Sequence, residues 1–259
     1  MEWRNTIMNA VKEYLVEGKS LPETYHKALL ALESNENIYP CDDWDTTQKE
    51  ISMTMCVLEP LAEPMISKLF IGGPEELEQY RQEMLDGILD FEVERGNWAY
   101  TYHQRMEKQF PFIVAELNRN PSSRRAVIVV RDWEVDSESE DPACLQHIQY
   151  FIRDNQLHCK VLFRSNDACK ATFMNAFALI MLQKRFADAL NVDMGTYTHR
   201  ASSFHCYEKD FDMLKGYVKR IEKAEDEYDI CFDYEDGWKE DMEFAQPMIA
   251  KKVEELRNR

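Results

Sequence analysis

CLQHIQYFIRDNQLHCKVLFRS, residues 144–165, contains two segments rich in β-branched and aromatic residues on either side of Asp154 and Asn155. Because Asp and Asn favour tight turns, this pattern predicts a β-hairpin. The stretch TFMNAFALIMLQKRFADAL, residues 172–190, is apolar on most sides of a helix, which is typical of a helix in the centre of a domain. The middle of the chain therefore predicts strands together with a long buried helix.

Further elements are predicted on both sides of this region. AVIVV at 126–130 is a short β-branched run that fits a buried strand. Apolar periodicity with terminal Pro or Gly predicts helices at 74–91, 108–119, 209–225 and 240–257. The chain has no internal repeat and no evident interdomain linker. We therefore expect one α+β domain spanning residues 1–259.

The first third of the chain is predicted to be largely helical. Trp3, Ile7, Val11 and Leu15 recur at helical spacing, and a second helix is expected to begin near Ser20. Pro22 suits the first turn of that second helix. Residues 35–47 are polar and rich in turn formers, which predicts a surface loop.

Charge and composition exclude several classes of protein. The net charge of −17 would repel nucleic acid, although a few arginines can still form a local site for a small anion. No apolar run reaches the roughly 20 residues of a membrane helix, and the N-terminal residues are amphipathic, unlike a secretory leader. We therefore expect a cytoplasmic protein without membrane association. The seven scattered cysteines fit reduced thiols, most of them buried.

Four short motifs follow one another in the middle half of the chain. They are SSRR (122–125), DPACLQHIQYFIRD (141–154), FRSND with MNAF (163–177) and SSFHCYEKDF (202–211). In order and spacing they resemble the thymidylate synthase and deoxynucleotide hydroxymethylase superfamily. The resemblance covers roughly residues 99–211 and is closest to archaeal-type synthases and phage nucleotide hydroxymethylases. It implies a mixed, twisted sheet flanked by helices around a long central helix.

Cys144 is the nucleophile that this resemblance implies. A soft thiolate would add to carbon 6 of a pyrimidine and make carbon 5 nucleophilic. Taken without its motif, a cysteine of this type is more often an inert buried thiol. Arg164 would hold the substrate phosphate and keep Cys144 ionised.

The same resemblance implies further nucleotide contacts. Arg124 and Arg125 would reach the phosphate of the partner subunit in a homodimer, a role that bidentate guanidinium groups suit. Without the resemblance, the ordinary interpretation of the SRR sequence is a pair of charged residues at the end of a helix, which is common in proteins. The remaining nucleotide contacts would come from Ser165, Asn166, His205 and Tyr207, with Gln149 and Ser203 as secondary pocket residues. Asp167 would contact both the nucleotide and the folate.

Asn175 is the residue expected to read the base. Its amide can donate to the carbonyl at carbon 4 of uracil and accept from the adjacent ring N–H. Cytosine presents the reverse pattern and would be better served by aspartate. Asparagine therefore favours deoxyuridylate, and an unpaired amide in a buried helix would cost about 1–3 kcal/mol.

The proton-transfer groups are predicted upstream. LAEPMIS (61–67) resembles the segment with the family glutamate, which nominates Glu63 as general acid and base, with Glu59 as its competitor. Tyr102 resembles the tyrosine that helps a water remove the proton from carbon 5. Both would act beside Cys144.

The resemblance implies 5,10-methylenetetrahydrofolate as co-substrate and no metal. The leading expectation is thymidylate synthesis from dUMP, with a dUMP or, less so, dCMP 5-hydroxymethylase as the alternative. A non-catalytic nucleotide-binding homologue is the third possibility. Three departures from the family pattern matter: residues 171–174 replace a glycine-proline segment, Lys49 is the only stand-in for an arginine loop over the phosphate, and the sequence ends in a charged helix.

Overall fold

A computed structural model describes residues 11–259, which form an α+β fold around a mixed seven-stranded sheet. Its strands are β1 (Glu13–Gly18), β2 (Ile38–Cys41), β3 (Thr46–Val57), β5 (Val127–Val129), β6 (Leu145–Arg153), β7 (Gln156–Asp167) and β8 (Asp193–Tyr207). They lie in the order β1-β3-β8-β7-β6-β5, with β2 paired to β3. The pairs β1·β3 and β7·β8 are parallel and the others antiparallel. The expected fold class is confirmed.

Ten helices and a small second sheet flank these strands within the described residues. The helices are α1 (Leu21–Glu33), α2 (Pro74–Asp86), α3 (Phe91–Glu94), α4 (Tyr102–Met106), α5 (Phe110–Arg119), α6 (Trp133–Asp136), α7 (Thr172–Leu190), α8 (Phe211–Lys223), α9 (Glu227–Ile230) and α10 (Lys239–Arg257). The second sheet pairs β4 (Ile66–Ser67) with β9 (Cys231–Phe232). None of the helices from residue 11 onward is long and apolar enough to span a bilayer.

The hairpin and the central helix lie where the sequence predicted them. Asp154 and Asn155 both adopt left-handed backbone angles, with φ of 51° and 60°, as a two-residue turn between β6 and β7 requires. α7 has the predicted bounds and packs against β7, β8, α2 and α5. The left-handed Asn191 ends it. Both elements could be predicted because their signals, a pair of turn residues and a long apolar segment, lie within the elements themselves.

The first third of the chain contains more strand than predicted. Residues 13–18 form β1 instead of a helix, while Trp3 and Ile7 lie outside the described residues. Burial alternates along β1, and Leu15, expected on the apolar face of a helix, is 71% exposed. The helix predicted from the spacing of apolar residues is therefore wrong over residues 13–18. This segment is a strand, because it pairs in parallel with residues 52–57 of β3.

The predicted loop at 35–47 and the segment after it also form strands. β2 pairs with the start of β3, and β3 lies between β1 and β8. Ile51, Met53, Met55 and Val57 alternate along β3 and are fully buried, the period-2 pattern of a strand. The prediction missed β3 although this alternation is present in the sequence, and two of the three partners of β3, β1 and β8, lie far away in the chain.

The remaining helices agree with prediction apart from their ends. Ser20 caps α1 by accepting a hydrogen bond from the Glu23 amide at 3.4 Å, and Pro22 lies in the first turn. α2 ends at Asp86 rather than continuing to residue 91, because Gly87 adopts φ of 64°. A side chain at Gly87 would collide with the ring of His103, so the close approach requires glycine.

Candidate active site

Strand pairing brings the separate sequence motifs to one end of the sheet. The amide of Arg164 donates to the carbonyl of Cys144 at 2.8 Å, at the start of the β6–β7 pair. The parallel pairing of β7 with β8 then sets Ser165 opposite Ser203 and Asp167 opposite His205. Residues separated by up to 38 positions therefore lie side by side. This convergence agrees with the order of motifs predicted from the sequence.

The Arg164 guanidinium lies against the chain just before Cys144. It donates to the carbonyls of Pro142 and Ala143 at 2.6 and 3.2 Å and lies 3.9 Å from the carboxylate of Asp141. Burial raises the pKa of the Cys144 thiol, Arg164 lowers it, and Asp141 raises it further. The arginine acts in the predicted direction, but burial outweighs it and the thiol pKa lies above its ordinary value.

We expect alkylation of Cys144 by iodoacetamide to accelerate with rising pH, because the thiolate is the reactive form and burial raises its pKa. Arg164→Gln removes the charge that lowers this pKa. The variant should therefore react more slowly than wild type at every pH below the midpoint of the profile. Peptide-resolved mass spectrometry over a pH series measures the rate at this cysteine alone.

Arg153→Gln is the matched control for this experiment, since Arg153 lies at the other end of the same hairpin. It should leave the alkylation profile of Cys144 unchanged. An identical profile for wild type and Arg164→Gln would contradict the electrostatic coupling of Arg164 to the thiol.

His205 is surrounded by hydroxyl groups next to this pair. Its Nδ1 lies 3.3 Å from Ser165 Oγ and 3.4 Å from Ser203 Oγ. Burial lowers the pKa of His205 and the charge of Asp167 opposes this, so the ring is neutral at pH 7. Tyr207 packs edge-on against it with ring centroids 4.7 Å apart, and burial raises the pKa of Tyr207 to about 12. The two side chains share a face as predicted, and both present hydrogen-bonding groups.

Asn175 is the fourth residue of α7, at the end of its first turn, and is almost fully buried. The hydroxyl of Tyr80, on α2, donates a hydrogen bond to its Oδ1. Within residues 11–259, no side chain or carbonyl binds its Nδ2. The buried amide thus has one partner, as its burial requires, and its donor group remains available to a ligand.

A cavity of about 640 Å³ is lined by Tyr80, the hydrogen-bond partner of Asn175, and by Tyr102, whose hydroxyl contacts the residue after Cys144. Its wall is formed largely by aromatic and acidic side chains. The lining residues are Tyr80, Glu83, Met84, Leu89, Asn97, Trp98, Ala99, Tyr100, Thr101, Tyr102, Ser139, Glu140 and Asp141. A cavity of this size with several flat aromatic walls can hold a planar ring system.

Tyr102 connects this cavity to Cys144. Its hydroxyl accepts a weak hydrogen bond from the amide of Leu145 at 3.4 Å, and burial raises its pKa well above the ordinary value. The flanking residues are anchored by Asp90, whose carboxylate binds His103 Nδ1 at 2.7 Å and accepts from the hydroxyl of Thr101. Tyr102 is therefore placed next to the thiol, as predicted.

Glu63 lies apart from the cavity wall. Its carboxylate accepts backbone N–H groups from Met65, Tyr234 and Glu235 at 2.8–2.9 Å. This arrangement ties the loop after β3 to the segment before α10. Glu59, the competing candidate, does not line the cavity either. Neither glutamate is brought beside Cys144 in the described residues.

Glu83 is the carboxylate that sequence reasoning missed. It lines the cavity one helical turn after Tyr80, and Gln79 donates to its Oε1 at 2.7 Å. Burial raises the pKa of Glu83, and Gln79 partly offsets this. The spacing of Tyr80, Glu83 and Met84 on one face of α2 was a usable signal, but many helices share it.

Asn166 and Asp167 hold the loop between β7 and α7. Asn166 is buried, and its Oδ1 accepts from Thr172 Oγ1 and lies 2.9 Å from His199 Nε2. One oxygen of Asp167 accepts the amides of Cys169 and Lys170 at 2.9 Å. Asn166 is thus occupied by contacts within the protein, whereas Asp167 lies beside His205 at the site.

The remaining predicted residues lie elsewhere on the chain. Arg124 and Arg125 are exposed just before β5. Gln149 lies five residues along β6 from Cys144, and its side chain donates to the Arg124 carbonyl at 2.9 Å. Lys49 binds the carboxylate and carbonyl of Glu33 at 2.8 and 2.9 Å. These four residues are not brought to Cys144 of the same chain.

Comparison with known proteins shows the family of the chain. The family model for thymidylate synthase matches residues 76–246. A relative from Methanocaldococcus jannaschii, provisionally named a thymidylate synthase, is 34% identical over 68% of this chain and 83% of its own. Thymidylate synthase 1 of Bacillus spizizenii is 26% identical, over 68% of this chain and 62% of its own.

A solved structure supports the fold independently. Thermostable thymidylate synthase A from Bacillus subtilis superposes with a TM-score of 0.63 at 16% identity, over 83% of this chain and 95% of that one. At this identity the match speaks for the fold alone. Together with the family match over residues 76–246, it shows that the chain belongs to the thymidylate synthase family.

Proposed function

We propose that this protein is a thymidylate synthase that transfers a one-carbon unit from 5,10-methylenetetrahydrofolate to carbon 5 of dUMP, giving dTMP. The observation that carries the proposal is the pairing of Cys144 with Arg164, together with the hydrogen bond from Tyr80 in the wall of the aromatic cavity to Asn175. The protein would act in the cytoplasm as one domain over residues 1–259, without a metal.

Each part of the nucleotide has a chemically matched group at the site. The guanidinium of Arg164 and the hydroxyl of Ser165 suit the phosphate. His205 and Tyr207 suit the sugar hydroxyl, since a neutral imidazole and a protonated phenol can both donate. Asn175 suits uracil because its free Nδ2 can donate to the carbonyl at carbon 4.

Cys144 performs the bond-forming step in this proposal. Its thiolate sulfur adds to carbon 6, and the electron pair of the 5,6 double bond moves to carbon 5, which then attacks the one-carbon unit. The thiol proton must leave before the addition, so the raised pKa makes proton removal part of the reaction. Loss of the proton at carbon 5 then expels the folate nitrogen and leaves a methylene group on carbon 5. A hydride from the released tetrahydrofolate adds to this methylene carbon as the Cys144 thiolate leaves carbon 6, which restores the 5,6 double bond and gives dTMP and dihydrofolate.

The cavity supplies the second half of the site. Trp98, Tyr100 and Tyr102 provide flat surfaces for the ring system of the co-substrate, which supplies both the one-carbon unit and the hydride. Asp167 is a further candidate contact for it. Glu83 would move protons, because it lines the cavity and burial raises its pKa towards neutral pH. Tyr102 would keep its proton, since burial raises its pKa well above the ordinary value, and its hydroxyl could hold the water that removes the proton from carbon 5.

A homodimer is part of the proposal. Arg124 and Arg125 are exposed and lie away from Cys144 of their own chain. Such a pair can serve the phosphate site only from a second copy of the protein. The two guanidinium groups would then add bidentate contacts to those of Arg164.

A dUMP 5-hydroxymethylase is the second candidate, and a dCMP hydroxymethylase a lesser one. Asn97, Ser139 and Glu140 lie in the wall of the same cavity and can hold water there. Water that reached the one-carbon unit before the hydride would give a 5-hydroxymethyl product and tetrahydrofolate. The two reactions share every step that Cys144 performs.

The proposal predicts that the protein releases tritium from dUMP labelled at carbon 5 when methylenetetrahydrofolate is present. It further predicts dTMP and dihydrofolate in equal amounts, measured by chromatography and by dihydrofolate absorbance. A 5-hydroxymethyl product without dihydrofolate would establish the second candidate instead. No tritium release from either dUMP or dCMP would contradict both reactions and favour a non-catalytic nucleotide-binding protein.

A further inference from the structure

The amide of Asn175 can be placed in two orientations that differ by exchange of its oxygen and nitrogen. Tyr80 lies on one side of this amide, and its hydroxyl donates to Oδ1. The remaining lone pair of Oδ1 and both hydrogens of Nδ2 are left for the ligand. Which base the site reads therefore depends on which orientation is held.

Uracil and cytosine require opposite orientations at this position. Uracil offers a carbonyl acceptor at carbon 4 and a donor at ring nitrogen 3, so Nδ2 must face carbon 4. Cytosine offers an amino donor at carbon 4 and an acceptor at nitrogen 3, so Oδ1 must face carbon 4. Rotating the same amide by half a turn exchanges one pattern for the other.

Tyr80 has a hydroxyl that is constrained to donate. In the part of the chain from residue 11 onward, Asn175 Oδ1 is the one acceptor within hydrogen-bond distance of it. Burial raises the pKa of Tyr80, so the hydroxyl keeps its proton at neutral pH. A rotated amide would place Nδ2 against this hydroxyl and leave the Tyr80 proton without a partner.

The helix that carries Tyr80 is held firmly against the helix that carries Asn175. α2 packs on α7, and Leu77 and Met84, which flank Tyr80 on α2, are buried. The Tyr80 ring therefore approaches the amide from one fixed direction. Tyr80, which is not among the proposed nucleotide contacts, thus determines the orientation of the Asn175 amide.

We propose that Tyr80 is a specificity-determining residue, which holds the Asn175 amide in the orientation that accepts uracil and rejects cytosine. The proposal rests on the proposed function, because it assigns a base-reading role to Asn175. It adds a positioning residue, on a different helix, that the sequence motifs do not contain.

Tyr80→Phe tests the proposal, since it removes the hydroxyl and keeps the ring. We expect the ratio of kcat/KM for dUMP to kcat/KM for dCMP, measured by tritium release from carbon 5, to fall by about tenfold or more. The ratio of the two nucleotide dissociation constants should change in the same direction, which calorimetry measures without the one-carbon donor. Tyr228→Phe is the matched control, because it removes an exposed hydroxyl that donates to Asp233 at 3.2 Å.

A double-mutant cycle distinguishes an effect of Tyr80 on the orientation of the Asn175 amide from a general distortion of the pocket. In an Asn175→Ala background, Tyr80→Phe should change the dUMP to dCMP ratio no further, because the amide that it orients is gone. An equal change in both backgrounds would overturn the proposal.

The outcomes also separate this proposal from the proposed function. If wild type releases tritium from dUMP and Tyr80→Phe keeps both ratios, the role of Tyr80 is wrong while the enzyme assignment stands. If wild type releases no tritium from dUMP or dCMP, the proposed function fails first. The dissociation constants then decide whether Tyr80 still governs the choice of base.

Discussion

Cys144→Ser is expected to lower the rate of tritium release from carbon 5 of dUMP by about four orders of magnitude. A serine hydroxyl has a far higher pKa than a thiol and is a harder nucleophile, so it adds poorly to carbon 6 of the pyrimidine. The change is nearly isosteric, and Arg164 keeps its contacts with Pro142 and Ala143 because these are made to backbone carbonyls. Binding of dUMP should therefore change little.

The measurement combines the tritium assay with calorimetric binding of dUMP. Cys56→Ser is the matched control, since Cys56 is another partly buried thiol, located on β3 where the strand pairs with Thr198. It should keep the wild-type rate. Tritium release by Cys144→Ser at more than a tenth of that rate would show that Cys144 is not the nucleophile.

Glu83→Gln is expected to lower kcat by about 10²- to 10⁴-fold, the range associated with the loss of a general acid or base. Glutamine preserves the size of the side chain and cannot exchange a proton. Because burial raises the pKa of Glu83, kcat/KM of wild type should fall as the pH falls through that pKa, above the range of an exposed glutamate. The acid limb of the pH profile should disappear in the variant.

Glu63→Gln provides the comparison that matters most for this prediction. The sequence favoured Glu63 for the same role, yet its carboxylate binds three backbone amides away from the cavity wall. We expect Glu63→Gln to lower the melting temperature while the acid limb of the pH profile remains. The reverse result, with the acid limb lost in Glu63→Gln and kept in Glu83→Gln, would return the role to Glu63.

Local sequence signals predicted the centre of the molecule accurately. The β6–β7 turn followed from Asp154 and Asn155, and α7 followed from a long apolar segment with helical ends. Both depend on interactions between residues close in the chain, which a sequence displays directly. The start of α1 at Ser20 has the same origin, since capping is a local property. The end of α2 at Gly87 was missed, although its left-handed backbone angle is also a local property.

The strands of the first third could not be assigned in this way. β1 and β2 are short, and their apolar residues fit a helix or a loop as well as a strand. β3 is stabilised by pairing with β1 and with β8, whose residues lie about 150 positions away. Whether such segments become strands depends on partners that the local pattern does not contain.

The residues of the candidate site fall into the same two groups, those that the sequence indicates and those that only the packed structure shows. The resemblance of four sequence motifs to the thymidylate synthase superfamily nominated the thiol, the guanidinium, the amide and the hydroxyl groups, because each of these chemical groups is carried by a single side chain within a motif. Tyr80 and Glu83 emerged only from packing of α2 on α7, which selects the face of α2 that lines the cavity. The role of Glu63 stays a prediction from the sequence, and the packed chain gives it no support, because its carboxylate accepts hydrogen bonds from the backbone amides of residues 65, 234 and 235. Chemical identity is a property of the residue, whereas access to the pocket is a property of the packed chain.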